Sequence, residues 1–250
     1  MCSQAINTER FIEVLECPML DFHDGTVGGK RLGLTQKQSS MSSPRRALIV
    51  IDVQQECFDG PLEIQYPPRE DSLTNVVRAI EVATTQSIPV VVVQHLLPAG
   101  APVFASGSPG SELHPAVAEL VQPGWKRVEK VYGSVFAGTD AAEWLRDNGI
   151  DTISIVGFMT NNCDIATAAH AESLGFTTEV LSDATGAIAL SNEAGRVSAQ
   201  QLHETIMVLL NSNFAAVATT EQWAAAVDKG EPLAASNLVA SALDGRSATV

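Results

Sequence analysis

Basic residues are scarce in this chain. Against 29 acidic side chains the 250 residues include 15 lysines and arginines, giving a formal charge of −14 and an isoelectric point near 4.6. So acidic a surface attracts neither nucleic acid nor an anionic membrane. Long apolar runs are missing too, and nothing approaches the ~18 residues of a membrane span. The N-terminal MCSQAINTERFIEVLECPML carries charges throughout and lacks an apolar core, so it does not read as a secretory signal. Cysteine is thin. Cys2, Cys17, Cys57 and Cys163 fall at unrelated spacings with no C-x-x-C pair to suggest zinc or a redox dithiol, and a reduced, cytoplasmic setting is the simpler expectation. What remains, 45% hydrophobic and 18% charged, describes an ordinary globular protein long enough for one large α/β domain.

Residues 1–45 show no sustained periodicity and read as an N-terminal appendage. Ordered structure is expected from Ala47–Gln54, ALIVIDVQ, a continuous apolar run of the kind a central parallel strand needs when both faces are covered. Further strands are expected at Val90–Val93, Arg127–Val131, Thr152–Val156, Thr177–Leu181 and Phe214–Ala218. Between them lie helical patterns: Asp71–Ser87, a short helix opened by Pro115, one capped by Thr139 and stopped by Gly149, and a long one over Asn192–Leu210. Thr219 with Gln222 gives a capping-box signature for a last helix, and residues 229–250 read as a loosely attached tail. Strands alternating with helices imply an α/β fold with a parallel sheet, right-handed crossovers and helices on both faces.

In such sheets, sites collect beyond the carboxyl ends of the strands. Three unlike reactive groups fall there: Asp52, Lys130 and Cys163. Cys163 follows a strand and a glycine turn, in the first turn of a helix expected to begin near Asn161 and to stop at Gly175. Unpaired N–H groups and the helix dipole at that position favour an anion, so a thiol pKa lowered toward neutrality is expected. Each residue also has a plainer reading, as a strand-end acid, a solvated cation and a packed thiol. Together they are the parts of a nucleophilic site, in which a carboxylate takes the thiol proton and later returns it to a leaving amine.

DVQ around Asp52, EKVYGSVFAGTD around Lys130 and GFMTNNC around Cys163 resemble the isochorismatase-like cysteine hydrolase superfamily over roughly residues 46–228. The resemblance implies a three-layer α/β/α sandwich with a six-stranded, mostly parallel sheet. It implies a triad on Asp52, Lys130 and Cys163, with the thiolate attacking an amide or imide carbonyl and water cleaving the thioester. It also implies a cis peptide between Phe158 and Met159, with the Met159 and Cys163 N–H groups as an oxyanion hole, and a homo-oligomer. Nicotinamidases of this superfamily carry an Asp-x-His pair after the second strand to bind a metal. Here that stretch reads His95-Leu96-Leu97, so neither metal nor other cofactor is expected.

The expected activity is hydrolysis of a C–N bond in a small amide, ureide or imide. The alternatives are vinyl-ether cleavage, which needs no thiol, and a binding protein without turnover. Gln94, His95, Phe104, Tyr132, Phe136, Phe158 and Asn162 lie near strand ends or loops and are candidates for substrate contact. The Gly-, Pro- and Ser-rich segment 96–112 reads as a long functional loop that decides what is bound.

Overall fold

A computed structural model describes residues 43–248. The expected appendage therefore lies, except for its last three residues, outside the described part. Six strands form one sheet: β1 (Arg46–Ile51), β2 (Val90–His95), β3 (Lys126–Lys130), β4 (Thr152–Phe158), β5 (Thr177–Gly186) and, after a separate two-stranded hairpin, β8 (Ala216–Ala218). Their order is β3-β2-β1-β4-β5-β8 and every pairing is parallel, so the sheet is wholly rather than mostly parallel.

Strand alternation sorts the core. From β1, Ala47, Ile49 and Ile51 face α4 (Ala141–Asp147), α5 (Ile165–Leu174) and α6 (Ala199–Leu209), meeting Leu145, Ala168 and Ile206. Leu48 and Val50 face α2 (Arg69–Thr85) and α7 (Thr220–Lys229), meeting Val76, Ile80 and Trp223. All six residues of β1 are buried, because both faces are covered. The result is a three-layer α/β/α sandwich. Two short helices, α1 (Glu56–Asp59) and α3 (Pro115–Ala118), lie in the connections that follow β1 and β2.

The chain runs outward from β1 through β2 to β3 and then returns to β1's other side as β4. That reversal opens a crevice at the carboxyl ends of β1 and β4. Toward the other end of these strands, Arg46 donates from Nε and a terminal nitrogen to Glu179, at 2.9 and 2.8 Å. Ser154 Oγ and Trp223 Nε1 also donate to Glu179, at 2.7 and 3.1 Å. This buried ion pair ties β1, β4, β5 and α7 together, and no spacing in the sequence marks it.

The expected helix over Asn192–Leu210 begins later. Residues 190–197 form the hairpin of β6 (Leu190–Asn192) and β7 (Gly195–Val197). Asn192 Oδ1 accepts from the Ala194 N–H at 2.9 Å and Gly195 takes φ +144°, which closes a turn that apolar periodicity cannot register. Ser198 and Gln201 then form the capping box that starts α6. The strand expected over Thr177–Leu181 runs on to Gly186 as β5, beyond a register shift opposite Ile155 and Gly157. The tail contains α8 (Leu238–Ser247), which was not expected, capped by Asn237. Among the described residues no helix is long and apolar enough to cross a membrane.

Candidate active site

Asp52 follows the last residue of β1 and leaves the strand with φ +48°, a left-handed conformation uncommon for a residue bearing a Cβ. Its neighbour across the sheet is the end of β4, where Gly157 sits at φ +114°. A Cβ there would lie 2.0 Å from the Ile51 carbonyl oxygen, so only glycine lets β4 pass beside the residue preceding Asp52. β4 ends at Phe158, the Phe158–Met159 peptide is cis, and a π-type turn over Thr160–Asp164 leads into α5. The Asn162 and Asp164 N–H groups both donate to the Met159 carbonyl, at 3.0 and 3.2 Å. Thr160 Oγ1 lies 2.9 Å from Nδ1 of the buried His203, which anchors the turn from within. The helix proper thus starts at Ile165 rather than near Asn161, and it stops as expected at Gly175, φ +81°.

These elements bring Asp52, Lys130 and Cys163 together. Lys130 Nζ is 2.6 Å from Asp52 Oδ2 and 3.2 Å from Cys163 Sγ, and all three side chains are buried. The ammonium also lies 3.0 Å from Nδ1 of His95, which is paired in register with Lys130 across β2 and β3. Asp52, His95 and Cys163 each offer a donor atom within 4.8 Å of the others, a spacing at which a metal could be held. The Lys130 ammonium reaches all three, so this trio already surrounds a cation and does not suit a metal while the lysine is charged.

Electrostatics reverse one expectation. The Cys163 thiol is pushed up rather than down, by burial first and then by the charge of Asp52, with Lys130 only partly opposing them. A helix dipole acts on the first turn from its exposed end. Here Sγ sits in a π-type turn, sealed and beside a carboxylate. Burial also raises Asp52 against the pull of Lys130, which makes it a better proton acceptor than an ordinary aspartate. Burial opposes the charge on Lys130, but Asp52 and Cys163 more than compensate and raise its pKa. Asp164, fully buried with neither oxygen hydrogen-bonded, is driven far upward by burial and by Asp52's charge, which favours its neutral acid.

The remaining candidates divide. His95 reaches the centre, and Phe104, buried at φ +48°, packs against it with the rings tilted by 33° and their centroids 5.1 Å apart. Met159 immediately precedes the turn that carries Cys163 and is buried. Asn162 is exposed, in the same turn, with space beside it set by Gly133. Tyr132 is 62% exposed two residues past Lys130, so it is neither core nor pocket wall in this chain alone. Three expectations need correction. Gln94 alternates to the opposite side of β2 from His95 and donates to the Ser111 carbonyl at 3.0 Å. Phe136 is a core residue stacked on Phe176 at 5.8 Å, because its segment folds under α5. Phe158 is fully buried and edge-on to Phe58 at 5.7 Å, within the opposite core layer.

Sequence reasoning passed over Gln54. Fully buried, it donates to the carbonyls of His95 and Ser111 at 3.0 and 2.8 Å and accepts from the His95 N–H at 2.8 Å. It thereby fixes the end of β2 against the start of the site. The signal was present in the DVQ motif, where the glutamine has no other evident purpose.

Fold and site together define a hydrolase of the isochorismatase type, and comparisons with known proteins agree. The family profile described as Isochorismatase domain matches residues 46–222, and the chain belongs to that family. A crystal structure assigned to the isochorismatases from Burkholderia xenovorans LB400 is 49% identical, with a TM-score of 0.80, covering 82% of this chain and 98% of that one. The uncharacterized isochorismatase family protein YrdC of Bacillus subtilis is 29% identical over 71% of this chain and 94% of its own length. The nicotinamidase/pyrazinamidase of Mycobacterium tuberculosis is 28% identical over 57% of this chain and 87% of its own.

Proposed function

We propose that the protein is a cysteine hydrolase that cleaves a C–N bond in a small amide, ureide or imide through a thioester. The observation that carries this reading is the Lys130 ammonium within hydrogen-bonding reach of both Asp52 and Cys163 Sγ. A thiol that burial keeps protonated requires a base at the moment of attack, and Asp52 is the carboxylate available. Asp52 takes the Sγ proton as sulfur bonds to the carbonyl carbon. The carbonyl oxygen becomes an oxyanion received by the Met159 and Cys163 N–H groups, a contribution of about 3–4 kcal/mol per donor in comparable sites. When the C–N bond breaks, the nitrogen leaves with the proton Asp52 had taken. Water then gives a proton to Asp52 and its oxygen to the thioester, releasing the acid and restoring the thiol.

The kinship with a nicotinamidase supports an amide substrate for this chain. A reduced, cytoplasmic setting suits Cys57 and Cys163, the two free cysteines among the described residues. Val208 and Leu209 at the end of α6, with Leu238, Val239 and Leu243 on α8, are exposed apolar side chains that support a homo-oligomer. The test of the activity is ammonia release from a panel of small amides, ureides and imides, with Cys163→Ala and EDTA in parallel. Release that needs Cys163 and ignores EDTA is expected. Release by the Cys163→Ala protein, or vinyl-ether cleavage that survives that substitution, overturns the thioester route.

A further inference from the structure

His95 is held more tightly than a residue that merely fills space. Its backbone is bonded on both sides by Gln54. Its ring is fixed at Nδ1 by Lys130 at 3.0 Å and on one face by Phe104. Phe104 is itself pinned, because its N–H donates at 3.3 Å to Oε2 of the buried Glu56. The 96–112 loop therefore acts on the site through this ring.

An ammonium group has donors and no acceptor. Nδ1 must accept from Lys130, so the ring proton resides on Nε2. Burial and Lys130 lower the His95 pKa to about 4, in keeping with a neutral ring. Nε2 has no partner among the described residues, is not among the sealed polar atoms, and belongs to a side chain still 12% exposed. A ring nitrogen of His95 lies within 4.8 Å of Sγ. Nδ1 is the nitrogen held at the Lys130 ammonium, so the Nε2 proton lies on the far side of the ring from that ammonium, free to meet a bound molecule.

We propose that His95 determines specificity by donating its Nε2–H to a second carbonyl oxygen of the substrate, so that the preferred class is amides bearing another carbonyl beside the scissile one: imides, ureides and diamides. This rests on the amidohydrolase reading and narrows it. A carbonyl suits the donor better than a carboxylate, since the ring is neutral and Asp52 Oδ2 stands 4.0 Å from Nδ1. Among the described residues the cation at the centre is Lys130, already shared among Asp52, His95 and Cys163.

Malonamide and propionamide form a matched pair with and without the second carbonyl. His95→Asn retains a short acceptor toward Lys130 and removes the far donor, whereas His95→Gln extends an amide N–H toward the Nε2 position. The expected result is that His95→Asn lowers kcat/KM for malonamide about ten-fold more than for propionamide, through KM, and that His95→Gln restores most of the difference. Equal losses on both substrates, or better function in the Asn variant than in the Gln variant, would mean that His95 only positions Lys130, and would overturn the proposal. A readout free of turnover separates this from the hydrolase reading. In the imidazole nitrogen-15 spectrum of the Cys163→Ser protein, His95 should show the Nε2–H tautomer, with a signal that malonamide moves and propionamide does not. An Nδ1–H tautomer, or no response to malonamide, refutes the recognition role even if amides are hydrolysed. A response without hydrolysis by the unmodified enzyme leaves recognition standing and refutes the activity.

Discussion

The neutral His95 makes a measurable demand on stability. A free histidine titrates near 6.5, whereas in the folded chain burial and the Lys130 ammonium bring His95 down to about 4. Above pH 6.5 the ring is neutral in both states and the group has no effect. As pH falls from 6.5 toward 4, the unfolded chain binds a proton that the folded one refuses. Folding stability therefore drops with falling pH, by about 2 kcal/mol over the interval once solvent screening of the partly exposed ring is taken into account. Many carboxylates titrate in the same range, so the quantity to measure is a difference. Urea unfolding of the parent and of His95→Gln, followed by tryptophan fluorescence at pH 7.5 and 4.5, gives the stability gap at each pH. Between these two pH values the parent should lose about 2 kcal/mol more than the variant, which has no ring to protonate. A gap that is the same at both pH values would show that His95 ionises normally, and would refute the placement of the Lys130 ammonium on Nδ1.

Lys130→Met should reduce amide hydrolysis by at least about a hundred-fold and destabilise the fold by about 3–5 kcal/mol, because it leaves Asp52 buried without its partner; steady-state kinetics and urea unfolding check both. Glu179→Ala strands the Arg46 guanidinium in the interior and should cost about 3–5 kcal/mol in the same unfolding assay, while kcat of the folded fraction stays near that of the parent. Gly157→Ala drives a methyl against the Ile51 carbonyl at a positive φ, so it should lower both Tm and kcat, the second because Asp52 is displaced. An Ala variant with parental kcat would separate Gly157 from the positioning of Asp52.

Much of this architecture is legible in the sequence because parallel strands buried on both faces leave unmistakable apolar runs. All six strands of the main sheet lie at or near their expected positions; β1, β2 and β4 are such runs, whereas the edge strand β3, KRVEK, has a single apolar residue, Val128. Asp52, Lys130 and Cys163 could be placed because strand ends are easier to locate than loops. The β6–β7 hairpin was missed because its eight residues, LSNEAGRV, carry too little apolar alternation to mark two three-residue strands, and its turn depends on one asparagine side chain and one glycine φ. The substrate-facing set was legible only in part, since deciding between His95 and Gln94 requires the register of β2. A shift of one residue exchanges the two faces. Phe136 and Phe158 were misjudged for a related reason: an aromatic ring at a strand end fits either a pocket or a core, and only tertiary packing chooses.

The reversal at Cys163 shows how the site depends on more than its three reactive residues. A helix-terminal cysteine in the open would be poised as a thiolate, and the dipole alone would suffice. This one is buried beside Asp52, and both effects favour the thiol. The neighbouring ammonium opposes them, but Lys130 also binds Asp52 and His95. On the proposed thioester route, nucleophile formation is therefore coupled to substrate arrival, when proton transfer to Asp52 is followed at once by the S–C bond that relieves the charge on sulfur. Such coupling protects a buried thiol from adventitious alkylation. At pH 7.5, Cys163 in the resting enzyme should react with iodoacetamide more slowly than a free thiol of ordinary pKa, although it sits at the reaction centre. Reaction as fast as that of a free low-pKa thiol would mean that the thiolate is preformed, and that Asp52 serves only to protonate the leaving nitrogen.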